Sequence, residues 1–322
     1  MNFKKAGAII IPTLIAAGIL AYMLWRVWDD LIVALQTAVL SYLIAAVFIC
    51  VAAWFLRGLR YQYILKKLEV SINLWKSTAC IYISQTANLV IPARLGDLVR
   101  LVILKHEADA TYSKGLSSLV VERFFDIIVV ALLGAAAMPF VLNVPGWFST
   151  VIAVSLIFCL LFMILIGLFG NIKSENKYLK VLFNLISEIK QASLNISAIF
   201  ILGISSVVIW LFDCVICMVI AMMFNVDIPF IVIVLAIVIG NLVKAVPVTP
   251  GGVGTYELAV ALTLEISGTT AAVATLIAVI DHLLKNLVTL AGGVISMYLF
   301  GDWAVDLMKR AFSKGIDKGE MI

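Results

Sequence analysis

The stretch Pro229–Ile266 reads PFIVIVLAIVIGNLVKAVPVTPGGVGTYELAVALTLEI. Both ends are apolar, and two prolines and three glycines interrupt the middle between positions 247 and 254. Proline stops a helix, and glycine lets the backbone turn sharply. Inside a bilayer, a broken helix survives only where protein or a water-filled cavity satisfies the freed backbone groups. The stretch therefore predicts a broken or re-entrant helix in a membrane protein.

A second broken segment, near 76–104, resembles the first. It reads NLVIPARLGD at 88–97, and both segments contain Asn-Leu-Val followed by Pro-x-x-apolar-Gly. The pattern predicts an inverted repeat with halves 1–145 and 146–304. Each half would hold two spans, a re-entrant segment and a third span, so three crossings would invert the second half. Two unrelated proline-kinked helices are the alternative.

Composition determines the class of protein. With 64% hydrophobic and 13% charged residues, the chain has too little polar surface for a water-soluble globule. We expect an all-α polytopic membrane protein, a single membrane domain over 1–322 with a cytoplasmic tail at 305–322. The net charge is only +4, and the basic residues lie in short clusters, which argues against nucleic-acid binding. Six full spans are predicted near 7–28, 37–56, 118–142, 149–170, 197–224 and 270–300.

Positive charge predicts the orientation, because Lys and Arg collect on the cytoplasmic side. The segment after the second span carries Arg57, Arg60, Lys66, Lys67 and Lys76. The loops at 29–30, 143–147 and 225–227 carry no Lys or Arg and are predicted outside. Both termini are then cytoplasmic, in a cell membrane. The stretch 173–191 is predicted to be an amphipathic interfacial helix or an ordinary connecting loop.

Charges at membrane depth cost about 3 kcal/mol each, so they need a partner or a function. The pattern predicts charge pairs or proton carriers at Asp97, Glu122, Arg123, Asp126, Glu257, Asp281 and Lys285. Glu122 and Asp126 share a helix face that could hold Arg94 or Arg100. Asp281 and Lys285 could pair with each other, or with Glu257 and Lys244. Internal salt bridges and proton coupling both remain open.

Cations beside the N-termini of broken helices favour a phosphate group. We predict headgroup or phosphate binding by Arg94, Arg100, Lys244, Thr249, Gly251, Gly252, Gly254 and Tyr256. The glycine run lacks the Gly-Lys-Ser/Thr ending of a nucleotide-binding loop. His282 has no ligand cluster in the sequence, so no metal and no cofactor is expected. The five cysteines are predicted to be buried thiols.

Three motifs in order, at 92–100, 122–126 and 247–257, resemble the membrane region shared by bacterial lysylphosphatidylglycerol synthases and flippases. Stand-alone homologues and some archaeal glycosyltransferases have the same region. The resemblance implies a flippase-like fold that moves or presents a phospholipid or polyprenyl-phosphate headgroup. Many relatives carry an aromatic-Arg pair in the last span, where this chain has Asp281-His282. The resemblance therefore implies that the headgroup preference differs.

Three functions remain open from the sequence. The leading one is a stand-alone lipid translocase or scramblase, with anionic phospholipid or polyprenyl phosphate as its partner. An enzyme is less expected, because these residues contain neither a nucleotide-binding motif nor room for a soluble catalytic domain. The third is a membrane partner of a glycosyltransferase or aminoacyl transferase that performs no transport. The small residues at 291–293 permit close helix contacts within one chain or in a homo-oligomer.

Overall fold

The computed structural model describes residues 3–36, 38–140, 146–172, 174–246, 248–301 and 303. Within these ranges the regular secondary structure is helical, as composition predicted. The α-helices are α1 Phe3–Arg26, α2 Trp28–Gln36, α3 Ser41–Lys67, α4 Leu74–Val90, α5 Val99–Ala108, α6 Tyr112–Ala137, α7 Gly146–Phe169, α8 Lys177–Ser193, α9 Ile196–Met223, α10 Phe230–Ala245, α11 Thr255–Ile266 and α12 Ala271–Phe300. Short 3-10 helices occupy Pro92–Leu98, Met138–Phe140 and Pro250–Gly252. The predicted tail at 305–322, the loop at 143–145, Lys173 and Pro247 lie outside the described residues.

Four of the described helices are long and apolar enough to cross a bilayer: α3, α7, α9 and α12. Two shorter apolar helices, Thr13–Arg26 within α1 and Phe230–Ala245, accompany them. Spans predicted near 149–170, 197–224 and 270–300 match α7, α9 and α12 closely. The chain is therefore an integral membrane protein with several apolar helices.

The prediction for the second span was wrong in length. Helix α3 continues to Lys67, so Arg57 and Arg60 lie inside a helix and not in a basic loop. Their guanidinium groups bind Asp213 and Asp126, and this pairing offsets the cost of their burial. A second difference is α2, a short helix where a loop was predicted. Its first turn carries two aspartates, which favour a helix N-terminus.

The first broken segment is a helical hairpin made of α4 and α5. Helix α4 begins at an Asn73 cap, whose side chain accepts a hydrogen bond from the Lys76 amide, and it ends before Pro92. Across the open end, Lys76 Nζ lies 2.5 Å from Glu107 Oε2. This ion pair brings the start of α4 beside the end of α5, so the segment leaves at the end where it entered.

The second broken segment, α10 and α11, is also a hairpin. Gly240 on α10 has no room for a side chain, since a Cβ would lie 2.6 Å from Val260 Cγ2 on α11. Helix α11 starts where Glu257 accepts a hydrogen bond of 2.7 Å from the Gly254 amide. The two hairpin tips meet, because a Cβ on Gly251 would lie 3.5 Å from Leu89 Cδ2.

The hairpins open toward opposite ends of the molecule. The Val39 amide donates to the Met223 carbonyl at 2.8 Å, which joins the start of α3 to the end of α9. These two helices are therefore antiparallel. The loop after α3 leads into the first hairpin and the loop after α9 into the second, so each hairpin begins at a different end.

Each hairpin packs on a helix far from it in the sequence, α4 on α12 and α10 on α6. Helix α4 lies so close to α12 that a Cβ on Gly292 or Gly293 would overlap Tyr82 or Thr86. Thr86 also donates to the Thr289 carbonyl at 2.9 Å. On the opposite side, Gly134 of α6 faces Val238 of α10, where a Cβ would lie 3.0 Å from Val238 Cγ1. The glycines at 292 and 293 thus serve contacts within one chain.

The stretch predicted near 173–191 as an interfacial helix or a loop is helical as α8, and its glutamate is bound. The hydroxyls of Ser113 and Ser117 on α6 donate to Glu188 at 2.7 and 2.8 Å. Several of its apolar side chains, including Tyr178 and Val181, are exposed. Helix α8 therefore attaches to the protein through Glu188 and through the buried side chains of Ile189 and Ala192, and it leaves apolar side chains near its start exposed.

Candidate functional site

A cavity of about 320 Å³ lies where the two hairpin tips meet. Both tips line it: Asn88, Leu89 and Arg94 come from the first hairpin, and Lys244 and Gly252 come from the second. The remaining walls are faces of α3, α6, α9 and α12. Because the hairpins start at opposite ends of the molecule and meet at their tips, residues far apart in the sequence line one cavity.

Arg94 is the most available cation in this cavity. Its side chain is exposed, and no hydrogen bond or ion pair within 4 Å joins it to another described residue. Its backbone has φ +54°, a left-handed conformation that is uncommon outside glycine. The tip therefore holds Arg94 in an unusual backbone conformation and leaves its guanidinium group free to bind a ligand.

Lys244 is the second cation at the cavity wall. Its Nζ lies 3.0 Å from His282 Nε2 and 5.6 Å from the centre of the Tyr256 ring. The other ring nitrogen of His282 lies 2.7 Å from Glu257 Oε1, so Glu257 accepts from Nδ1 and leaves Nε2 to accept from Lys244. No carboxylate oxygen lies within 4 Å of Lys244 Nζ in the described chain. The histidine orients the ammonium group without neutralising its charge.

Two glycines of the motif line the cavity, and the third serves helix packing. Gly251 and Gly252 line the cavity with φ of +62° and +78°. A Cβ on Gly252 would lie 2.6 Å from Lys244 Cγ, so this glycine gives the lysine its position. Gly254 does not line the cavity, because it packs against α1 beside the Ala16 carbonyl.

Thr249 and Tyr256 both line the cavity, and both are largely buried. The Thr249 hydroxyl lies 3.3 Å from the Thr255 hydroxyl. The Tyr256 hydroxyl donates to Asp281 at 2.8 Å, while its ring packs against His282. Tyr256 therefore offers the cavity an aromatic surface, since its hydroxyl is already engaged.

Arg100, the third predicted phosphate ligand, does not line the cavity. Its side chain is fully buried, with Nη1 2.8 Å from Glu122 Oε2 and Nε 2.6 Å from the Ser84 hydroxyl. Its guanidinium carbon lies 5.0 Å from the centre of the Tyr61 ring. The structure therefore places Arg100 in an ion pair that joins the first hairpin to α6.

Three acids, Asp97, Glu122 and Asp126, form one network with arginines. Asp126 accepts from Arg60 at 2.7 Å and from the Trp210 indole at 3.3 Å. Arg123 lies between three carboxylates, 3.2 Å from Asp97, 3.4 Å from Glu122 and 3.6 Å from Asp126. Of the two arginines predicted for the Glu122 and Asp126 face, Arg100 is bound there and Arg94 is not.

A second, smaller polar network surrounds Lys285. Lys285 Nζ lies 2.8 Å from Asp281 Oδ1, one of the two pairings left open by the sequence. Lys285 also donates to the Asp213 carbonyl at 3.2 Å, and Asp213 binds Arg57 at 2.6 Å. Helices α3, α9 and α12 are thereby joined through polar groups at the cavity wall.

Several cavity residues were not predicted from sequence: Arg57, Arg60, Asp213, Trp54, Trp210, Gln85 and Asn286. One signal was present. Trp54-x-x-Arg57 on α3 and Trp210-x-x-Asp213 on α9 have the same spacing and opposite charge. Helices α3 and α9 pack side by side, and Arg57 there pairs with Asp213.

The charges that line the cavity are unequally paired. Its three carboxylates, Glu122, Asp126 and Asp213, each lie within 2.8 Å of an arginine nitrogen. Arg94 and Lys244 have no such partner among the residues described. In the same part of the chain, no cluster of histidine, cysteine and acidic side chains could hold a metal ion. The cavity thus presents free positive charge and no free negative charge.

Known proteins are similar to this chain in sequence. Residues 9–293 match the family described as the lysylphosphatidylglycerol synthase TM region. Glycosyltransferase AglD of Haloferax volcanii is 33% identical over 79% of this chain, and the chain spans about half of its length, 48%. A UPF0104 membrane protein of Methanothermobacter thermautotrophicus is 25% identical over 88% of this chain and 91% of its own length. A second, from Methanocaldococcus jannaschii, is 26% identical over 66% of this chain and 93% of its own length.

Proposed function

Because the chain belongs to the lysylphosphatidylglycerol synthase transmembrane-region family, we propose that it translocates or scrambles an anionic lipid across the cell membrane. The lipid is a phospholipid or a polyprenyl phosphate. Its phosphate occupies the cavity between the two hairpin tips, while its chains remain in the bilayer. One observation carries the proposal: two unneutralised cations, Arg94 and Lys244, line one cavity.

The proposed binding mode uses the two tips as a clamp. Arg94 supplies a guanidinium group, which can hold two phosphate oxygens at once, and Lys244 supplies a point charge from the facing hairpin. Gly251 and Gly252 let the backbone approach the headgroup closely, and the hydroxyl of Thr249 lies beside them. The ion pairs around Asp97, Glu122, Arg123, Asp126, Glu257, Asp281 and Lys285 hold the hairpins against α6 and α12.

The proposed topology has six crossings, α1, α3, α6, α7, α9 and α12, with two re-entrant hairpins in an inverted repeat. Two contacts support this topology: the Lys76–Glu107 pair closes one hairpin, and the Val39–Met223 hydrogen bond makes α3 and α9 antiparallel. With the basic loops inside, the N- and C-termini are cytoplasmic. The first hairpin then enters from the cytoplasm and the second from the outside.

Reconstitution tests the proposal. Purified protein is incorporated into liposomes that carry fluorescent phosphatidylglycerol or polyprenyl phosphate, and dithionite then quenches the outer leaflet. We expect wild type to accelerate loss of the protected inner-leaflet signal. Arg94→Gln and Lys244→Gln should each slow that loss by about tenfold or more, because each removes a charge that the cavity does not replace.

Lys105→Gln is the matched control for these variants. Lys105 is an exposed lysine that pairs with Asp109 on the surface of α5, away from the cavity, so its loss should leave the rate unchanged. Rates equal to empty liposomes for every probe would overturn the translocase. Equal slowing in all three variants would show a nonspecific effect of lost charge and overturn the assignment of Arg94 and Lys244.

A relative's name favours one second candidate. The Haloferax volcanii relative is a glycosyltransferase, and this chain corresponds to about half of its length. The alternative is that this chain presents a lipid-linked headgroup to a separate glycosyltransferase or aminoacyl transferase and performs no transport. Partner-free liposomes separate the two functions, because a presenting protein would bind the lipid there without moving it.

A further inference from the structure

The cavity contains polar groups that a phosphate clamp does not use. Besides its charged side chains, it is lined by Gln85, Asn88, Asn241 and Asn286 and by two tryptophans, Trp54 and Trp210. Carboxamides both donate and accept hydrogen bonds, and so do hydroxyl groups. Aromatic faces pack against apolar C–H surfaces beside them. This lining matches a ligand that carries hydroxyls on a carbon frame.

Some of the carboxamide atoms are available to serve this role. The amide nitrogens of Gln85 and Asn88 donate to Asp97 at 3.0 and 2.9 Å, and that of Asn241 donates to the Ile237 carbonyl at 2.8 Å. The side-chain oxygens of Gln85 and Asn241 make no hydrogen bond within the described chain. Neither end of the Asn286 carboxamide does either. The cavity therefore offers neutral acceptors and one complete carboxamide beside its two free cations.

The same charges disfavour an amine. A cationic headgroup entering the cavity would meet Arg94 and Lys244, and each carboxylate at the wall is already bound to an arginine. With the lipid phosphate already held by these two cations, the ammonium group would be desolvated near positive charge and would find no unpaired carboxylate on the wall, which disfavours its binding. Phosphate esters of ethanolamine or of an amino acid carry such a group.

We propose that the cavity selects lipids whose phosphodiester bears a neutral polyol headgroup, such as glycerol or a single sugar, and rejects lipids whose headgroup bears an amine. The cavity size agrees with this substrate class. At about 320 Å³ it lies at the lower limit of ligand pockets, roughly 300 Å³, which suits one small headgroup and not an oligosaccharide. This selectivity rests on the proposed lipid translocation, but binding tests it separately.

The first measurement is binding to the detergent-purified protein. Thermal unfolding is followed with three soluble lipids: dioctanoyl phosphatidylglycerol, dioctanoyl phosphatidylmethanol and dioctanoyl phosphatidylethanolamine. The first two have the same charge and differ in hydroxyls, while the third adds an amine. We expect phosphatidylglycerol to bind most tightly. Phosphatidylethanolamine should bind at least about tenfold more weakly, because its ammonium group lies near the cations of the cavity.

A variant tests the carboxamide contribution. Asn286→Leu keeps a similar side-chain volume and removes both hydrogen-bonding atoms. It should weaken phosphatidylglycerol binding about tenfold, to the level of phosphatidylmethanol, and leave phosphatidylmethanol unchanged. Equal loss for both lipids would contradict hydroxyl recognition. The comparison among lipids on wild-type protein remains informative even where the variant fails to fold.

The second measurement repeats the liposome assay with fluorescent phosphatidylglycerol and phosphatidylethanolamine. Faster movement of phosphatidylglycerol supports the inference. Equal binding and equal movement of the two lipids overturns the selectivity and leaves translocation standing. Selective binding with no movement of either lipid overturns translocation and retains the selectivity. Absence of binding by all three soluble lipids overturns the inference.

Discussion

At the scale of single residues, similar cations in one segment have different surroundings. Arg94 and Arg100 lie six positions apart, and the sequence predicted phosphate binding for both. Arg94 faces the cavity without a partner, whereas Arg100 is fully buried against Glu122 and Ser84. Spacing could not separate them, because the 3-10 turn at Pro92–Leu98 decides which side chain points into the cavity.

Replacement by methionine should separate these two roles. Arg100→Met leaves the buried Glu122 without its nearest counterion, so we expect a loss of about 3–5 kcal/mol in the free energy of unfolding. Arg94→Met breaks no ion pair and should change stability by less than about 0.5 kcal/mol while abolishing lipid binding. Thermal unfolding in detergent and the soluble-lipid titration measure the two effects. Equal destabilisation by both variants would contradict this division.

At the scale of elements, the second hairpin depends on glycines for different reasons. Gly252 combines a positive φ with direct contact to Lys244, so its missing side chain positions a cavity residue. Gly268 also has a positive φ, +100°, but a Cβ there would meet nothing within 4 Å. The sequence motif predicted where the helix breaks. Only the contacts in the structure show which glycine the site needs and which one a turn needs.

Alanine at these two glycines provides a matched comparison. Both Gly252→Ala and Gly268→Ala impose a left-handed backbone on alanine and should cost about 1–2 kcal/mol of stability. Gly252→Ala should in addition displace Lys244 and weaken phosphatidylglycerol binding about tenfold, whereas Gly268→Ala should not. The soluble-lipid titration at a temperature where both variants are folded measures the difference. Unchanged affinity in Gly252→Ala would show that Lys244 does not need this contact.

At the scale of the whole molecule, the sequence predicted the all-helical membrane fold and both helix breaks, because hydropathy and proline act locally. Helix α3 was underestimated, since the partners of its two arginines lie on α6 and α9, far along the chain. The carboxamide side chains of the cavity were also not predicted. Gln85 and Asn286 belong to no local sequence motif, and only the helices packed around them place them at the cavity. Contacts between helices far apart in the chain thus determine features that local sequence patterns do not show.

Cysteine labelling tests the proposed topology. All five native cysteines are buried, so intact protein should react little with a membrane-impermeant maleimide. New cysteines at Glu69 and Asp109 should react only after the cells are permeabilised, because both lie at the predicted cytoplasmic end. Cysteines at Asn225 and Ser267 should react in intact cells. Labelling of Asp109 and Ser267 from the same side would disprove the opposed hairpins.

The contacts of Gly292 and Gly293 with α4, and of Gly134 with α10, have an evolutionary consequence. In the proposed inverted repeat, the hairpin of each half packs against the last helix of the other half, as segments are exchanged between the subunits of a domain-swapped dimer. Each last helix also contacts the hairpin beside it in sequence, α6 against α5 and α12 against α11, so it lies between both hairpins. An ancestor of half this length would have required two copies in opposite orientations, and gene fusion would have made that antiparallel pairing permanent.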